Sequence, residues 1–142
     1  MSEPENTVLS ELYLGCLYFN IMTLSRDVDK YAQEAFKPLG ISSALAMLLI
    51  FIISNPSVNP KKISGFFHLA PSTTTRLLDK LEKKGLIKRK YIKRNTYLNA
   101  TKKAENLDAK LKDCWNNLYQ NIILWMGEER YQRFLHILQE QY

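Results

Sequence analysis

Apolar residues recur at spacings of three and four from Thr7 to about Lys37: Leu9, Leu12, Tyr13, Cys16, Leu17, Phe19, Ile21, Leu24, Val28, Tyr31, Ala35 and Phe36. This pattern predicts one long amphipathic helix, ended by Pro38 and Gly40. A helix of about 30 residues is roughly 45 Å long, more than a compact unit needs, so part of its stripe is expected to bury against a partner. Ser42 or Ser43 can cap a second helix to about Ser54, whose nearly unbroken apolar run from Leu45 to Ile53 marks it as core. Asn59 and Pro60 open a short third helix expected to turn Ile63, Phe66 and Phe67 inward. After His68-Leu69-Ala70, Pro71 opens a fourth helix to about Lys84, ended by Gly85, with Leu77, Leu78 and Leu81 inside and a polar outer side. Leu86–Ile92 and Thr96–Asn99 read as strands of a small ribbon, with Lys93-Arg94-Asn95 as its turn. From Thr101 a further helix carries Leu107, Leu111, Trp115, Leu118, Ile122 and Trp125 on one stripe until Gly127, and a last amphipathic helix presents Tyr131, Phe134, Leu135 and Leu138.

These elements describe a mainly α fold, a winged helix-turn-helix with a two-stranded β wing flanked by N- and C-terminal helices. With 142 residues, 46% of them hydrophobic, one core is expected and hence a single domain, 1–142. Within it, 41–100 forms the helix-turn-helix lobe, flanked by the helices of 7–40 and 101–142, whose apolar stripes are expected to bury against a partner. The apolar run Ala44–Ile53 is half of what a bilayer span needs, and the first 30 residues lack a secretory pattern, so the expectation is a cytoplasmic protein without membrane association.

Charge sharpens the picture through its distribution. Residues 61–103 hold 13 basic and 2 acidic side chains, whereas 1–60 hold 3 and 6, and 104–142 hold 4 and 6. A strongly basic centre between mildly acidic ends is the footprint of a polyanion-binding module. The major groove admits one helix, and base edges are read by short side chains near its N-terminus. Ser72, Thr73, Thr74, Thr75 and Arg76 occupy that place, with Lys80 one turn further on. Arg76 can pair with a guanine edge or a phosphate. The ribbon residues Arg89, Lys93, Arg94 and Asn95, with Lys88 and Lys90, are expected to supply backbone or minor-groove contacts, and Lys61 and Lys62 further phosphate contacts.

The run Pro71-Ser-Thr-Thr-Thr-Arg-Leu-Leu-Asp-Lys-Leu-Glu-Lys-Lys-Gly-Leu-Ile-Lys-Arg89 resembles the recognition helix and first wing strand of MarR/SlyA-type winged-helix regulators. The resemblance extends to the long first helix ending in Pro38-Leu39-Gly40-Ile41, to Ala100-Thr101-Lys102-Lys103-Ala104 where the family commonly has Leu-Thr-Glu-Lys-Gly, and to two closing helices. It implies a bacterial transcription regulator, in the first instance a repressor, that binds double-stranded DNA as a homodimer joined by its first and last two helices. It also implies a small lipophilic or phenolic effector, for which Tyr13, Cys16, Tyr18, Phe19 and Trp115, with Tyr119, are the candidate pocket residues. The sequence departs from the family in a wing about three residues shorter, in Ala70 where a capping Asp or Ser is common, and in Thr74 at a usually apolar position.

Other chemistry finds little support. His68 and His136 are isolated from ligand partners, no cofactor motif is present, and no phosphate loop, nucleophile elbow or acid pair suggests an enzyme. Cys16 and Cys114 lie in helical stripes and read as small hydrophobes rather than redox sensors. Two rival readings stand beside the DNA reader: a winged-helix adaptor that binds protein, and an RNA binder, the latter disfavoured because no aromatics are expected among the exposed basic residues.

Overall fold

The computed structural model describes residues 10–141 and is mainly helical, with one small antiparallel sheet. The predicted first helix is divided. A helical stretch over residues 10–14 leads through Gly15 to Cys16, which takes extended backbone angles (φ −97°, ψ 116°), and α1 follows over Leu17–Phe36. Glycine weakens a helix interior, and Asn20 Nδ2 donates to the carbonyls of Leu14 and Cys16, both at 2.8 Å, which supplies partners for the interrupted backbone. Thr7 and Leu9, in the predicted first turn, lie outside the described residues. Pro38 sits in a 3-10 turn, Lys37–Leu39, that Gly40 closes at φ 65°.

Ser42 caps α2 (Ser43–Ser54) by accepting from the Leu45 amide. Gln33 of α1 donates from Nε2 to Ser43 Oγ at 3.0 Å, tying the end of one helix to the start of the next. As its composition predicts, α2 is central: Leu45, Ala46, Leu48, Leu49 and Ile52 are buried. They share one core with Phe36, Ile63, Leu78, Leu81, Ile87, Leu98 and Leu111, so a single apolar cluster joins both ends of the chain to the basic middle. Asn59 caps α3 (Pro60–Phe67), and α4 follows over Pro71–Lys83. Phe66 departs from expectation: it stacks on Phe51 and Phe67 but stays largely exposed, because the short α3 gives its buried side to Ile63.

At the end of α4, Gly85 (φ 71°) lets the Leu86 amide reach back to the Leu81 carbonyl at 3.0 Å, and the chain turns into β1 (Ile87–Ile92). Its partner β2 is Asn95–Ala100, longer than predicted. Ile92 pairs with Asn95, so the turn is only Lys93-Arg94; Lys93 adopts φ 56°, the backbone sign that such tight hairpin turns require. The Leu98 amide also donates to the Val58 carbonyl at 2.7 Å, a single-residue bridge that no periodicity could have marked.

The expected helix from Thr101 is likewise two, α5 (Lys102–Glu105) and α6 (Asp108–Met126). Thr101 caps α5, and the Leu107 amide bonds the Ala104 carbonyl three residues back, tightening the chain between them. Gly127 (φ 88°) separates α6 from α7 (Glu128–Gln139). Helices α1 and α6 pack together in opposite directions, with Tyr31 against Trp125 and Phe36 against Trp115. No single helix among the described residues is long and apolar enough to cross a membrane.

Candidate nucleic-acid interface

The turn between α3 and α4 is made by His68, in the left-handed region at φ 51°, and by the Leu69 amide bonding the Ser64 carbonyl. Inside this turn Ser64 Oγ donates to Thr74 Oγ1 at 2.8 Å, and Thr74 is 1% exposed. The one hydroxyl of the Ser72–Thr75 series that faces the core is therefore satisfied across the two helices. Thr74→Val, which keeps the shape and removes only this bond, should cost no more than about 1 kcal/mol in denaturant unfolding.

With Leu77, Leu78 and Leu81 buried, α4 turns Ser72, Thr75, Arg76 and Lys80 outward on one exposed arc, and Thr73 is half-buried at its edge. Thr75 Oγ1 donates back to the Pro71 carbonyl at 3.0 Å, which leaves its lone pairs free to accept. Lys61 and Lys62 are exposed on the first turn of α3, and Lys93, Arg94 and Asn95 are exposed at the ribbon tip. Exposed basic or polar side chains thus stand on α3, on α4 and at the ribbon tip.

Arg89 differs from the expected phosphate contact. Its guanidinium folds onto α4, with Nη1 2.7 Å from Glu82 Oε1 and Nη2 2.7 Å from Asp79 Oδ1, and its side chain is 13% exposed. Burial works against the charge, but hydrogen bonds and attraction from Asp79 and Glu82 outweigh it, so the Arg89 pKa is raised above its ordinary value. Strand alternation places Arg89 on the ribbon face that carries Leu98, toward α4, where the only acids of residues 61–103 wait. That alternation, applied to the sequence, is the signal that would have separated Arg89 from its neighbours Lys88 and Lys90. Tyr91, on the same face, is nevertheless exposed, which neither alternation nor composition signals.

The five predicted pocket residues are not gathered. Tyr13, Cys16 and Tyr18 are exposed, and Tyr13 stacks on Phe19 at 5.0 Å near the start of α1. Trp115 lies beside Phe36 at the other end of α1, roughly 25 Å away at the rise of a helix. It instead lines a cavity of about 530 Å³ with Met47, Ile50, Phe51, Phe66 and Phe67, where Lys112 and Asn116 supply the polar rim. Cys16 stands exposed at the helix break rather than in a packed stripe, whereas Cys114 is buried. Leu14, Leu17, Tyr18, Leu124 and Ile137 leave the outer helices with exposed apolar surface, and Ile21, Leu24, Met126, Phe134 and Leu138 line an apolar cleft of about 350 Å³ between them.

Residues 41–95, which include α3, the turn, α4 and the first ribbon strand, match the family model of the MarR family. The helix-turn-helix lobe of the chain is thus similar to the MarR family. The fold extends the likeness beyond that lobe. CouR from Rhodococcus jostii RHA1 bound to p-coumaroyl-CoA superposes with a TM-score of 0.75 at 20% identity, over 89% of this chain and 91% of that one. A MarR family transcriptional regulator from Listeria monocytogenes complexed with a 26mer DNA gives 0.74 at 21% identity, over 88% and 85%. The oxidised form of MarR from E. coli gives 0.72 at 20% identity, over 88% and 93%. No curated protein matches the chain. Two local features mark this lobe: its α4 has no side-chain cap, Ala70 standing at the capping position before Pro71, and its ribbon turns in two residues.

Proposed function

We propose that the protein is a transcription regulator, a repressor in the first instance, that binds a pseudo-palindromic duplex as a homodimer in the cytoplasm. The observation that carries this reading is the charge balance around α4. The basic segment 61–103 contains only two acids, and both are held by Arg89, so Arg76, Lys80 and the lysines of α3 and the ribbon face solvent without a competing anion. The helix N-terminus adds free amides for a phosphate. The DNA-complexed Listeria relative supports the same use of this fold.

The apolar surface on α1, α6 and α7 is the dimerisation face, with 7–40 and 101–142 as its two arms. A symmetric pair would present two α4 helices to successive major grooves, about 34 Å apart. The cavity beside Trp115 would hold a small lipophilic or phenolic effector, consistent with the ligand-bound state of CouR. Because its walls come from α2 and α3 on one side and α6 on the other, a ligand favouring one arrangement of these helices would change the spacing of the two reading helices.

Fluorescence anisotropy on duplexes retained from a random pool tests the reading. Affinity should fall steeply with salt, and Arg76→Ala should weaken the preferred duplex by about 1 to 3 kcal/mol while relaxing its base preference. Salt-insensitive or absent duplex binding would favour the adaptor reading instead.

A further inference from the structure

The ribbon holds an exposed aromatic that the recognition helix does not account for. Tyr91 is 71% exposed although it lies on the same strand face as Arg89, whose side chain is nearly covered by α4. Two residues separate them, so Tyr91 stands about 7 Å further along the strand, on the face turned toward α4. Its cross-strand partner is Thr96, and the next residue, Ile92, is also exposed, on the opposite face. The same ribbon carries Lys88, Lys90, Lys93 and Arg94, and β1, β2 and their turn contain no acidic residue. An exposed aromatic on a purely cationic ribbon is matched to a partner that is anionic along its edges and apolar between them.

Resting on the reading of α4 as a DNA-binding helix, we propose that Tyr91 is a DNA-contacting residue of the wing, packing its ring against the sugar walls of the minor groove next to the site read by α4. Lys93 and Arg94, in the two-residue turn, pair with the flanking phosphates. The minor groove is bounded by deoxyribose, and apolar side chains are commonly used there to secure or deform the duplex. A wing with so short a turn cannot extend an arginine far beyond its last paired residues, Ile92 and Asn95. Contact made from the strand face itself requires no such reach. The same arrangement gives the wing two separable contributions, an apolar one from Tyr91 and a salt-dependent one from the turn.

The test uses the full-length protein, the preferred duplex from a random pool, and four variants: Tyr91→Ala, Tyr91→Phe, a Lys93→Ala/Arg94→Ala double variant, and Arg76→Ala. Tyr91→Ala is expected to weaken binding about tenfold with an unchanged salt slope, since burial of one aromatic ring is lost and no charge is removed. Tyr91→Phe should bind within about twofold of the parent, because the ring supplies the contact. The double variant should lower the salt slope by about two. Hydroxyl-radical footprints should lose flanking minor-groove protection in Tyr91→Ala alone. Parent-like affinity and footprint for Tyr91→Ala, with Arg76→Ala impaired, would overturn the Tyr91 assignment and leave the DNA reading intact. Failure of the parent to bind any duplex would overturn both.

Discussion

Replacing Leu17 and Leu124 together with glutamate should leave the protein folded, make it monomeric, and reduce affinity for a two-fold symmetric duplex by about 10² to 10⁴. The two side chains are 74% and 82% exposed, so little internal packing is lost. They belong to an apolar surface that also includes Leu14, Tyr18 and Ile137, which one copy of the chain leaves in water. Buried carboxylates would oppose association strongly. The loss of affinity follows from effective concentration: once one half-site is occupied, the second recognition helix is held close to its own, and a monomer forfeits that advantage. Analytical ultracentrifugation and anisotropy on the same sample check the two parts, with circular dichroism confirming the helical fold. A variant that remains dimeric would place the interface elsewhere.

The second large effect is expected at Arg89, whose guanidinium is engaged on α4. Arg89→Met should weaken duplex binding more than tenfold and destabilise the fold by about 1 to 2 kcal/mol, the latter held down because Asp79 and Glu82 keep much of their water. Without the guanidinium, two carboxylates would stand unpaired on the outer side of α4, close to the phosphates that Arg76 and Lys80 approach. On the proposed reading, Arg89 acts by holding Asp79 and Glu82 rather than by touching DNA. The discriminating measurement is rescue: adding Asp79→Asn and Glu82→Gln to Arg89→Met should recover most of the affinity while the stability stays reduced. If the triple variant binds as poorly as Arg89→Met, direct contact by Arg89 would replace this account.

Much of this architecture is legible from residue order because its determinants are local. The apolar run of α2 and the Asn59-Pro60 and Gly85 signals at helix ends depend on near neighbours, and each lies where its chemistry predicts. The breaks at Cys16 and between α5 and α6 were hidden because apolar spacing continues through them. What interrupts the first is the conjunction of Gly15 with the amide of Asn20, five residues away. Interactions between elements were harder still. Nothing near Arg89 in sequence says that Asp79 and Glu82 lie opposite it, and a count of positive charges gives it the same weight as Lys88. The spread of the candidate pocket residues has a related cause. Composition can nominate Tyr13 and Trp115 together, but the antiparallel course of α1 and α6 puts them at opposite ends of a helix.

In the proposed mode of action, α4 and the basic ribbon read duplex DNA in symmetric pairs. Selection from a random duplex pool, followed by a salt titration of the enriched sequence, tests it most directly. The predicted result is a two-fold symmetric motif with half-sites one helical turn apart and an affinity that falls steeply with salt. An unenriched pool with weak, featureless binding would contradict it.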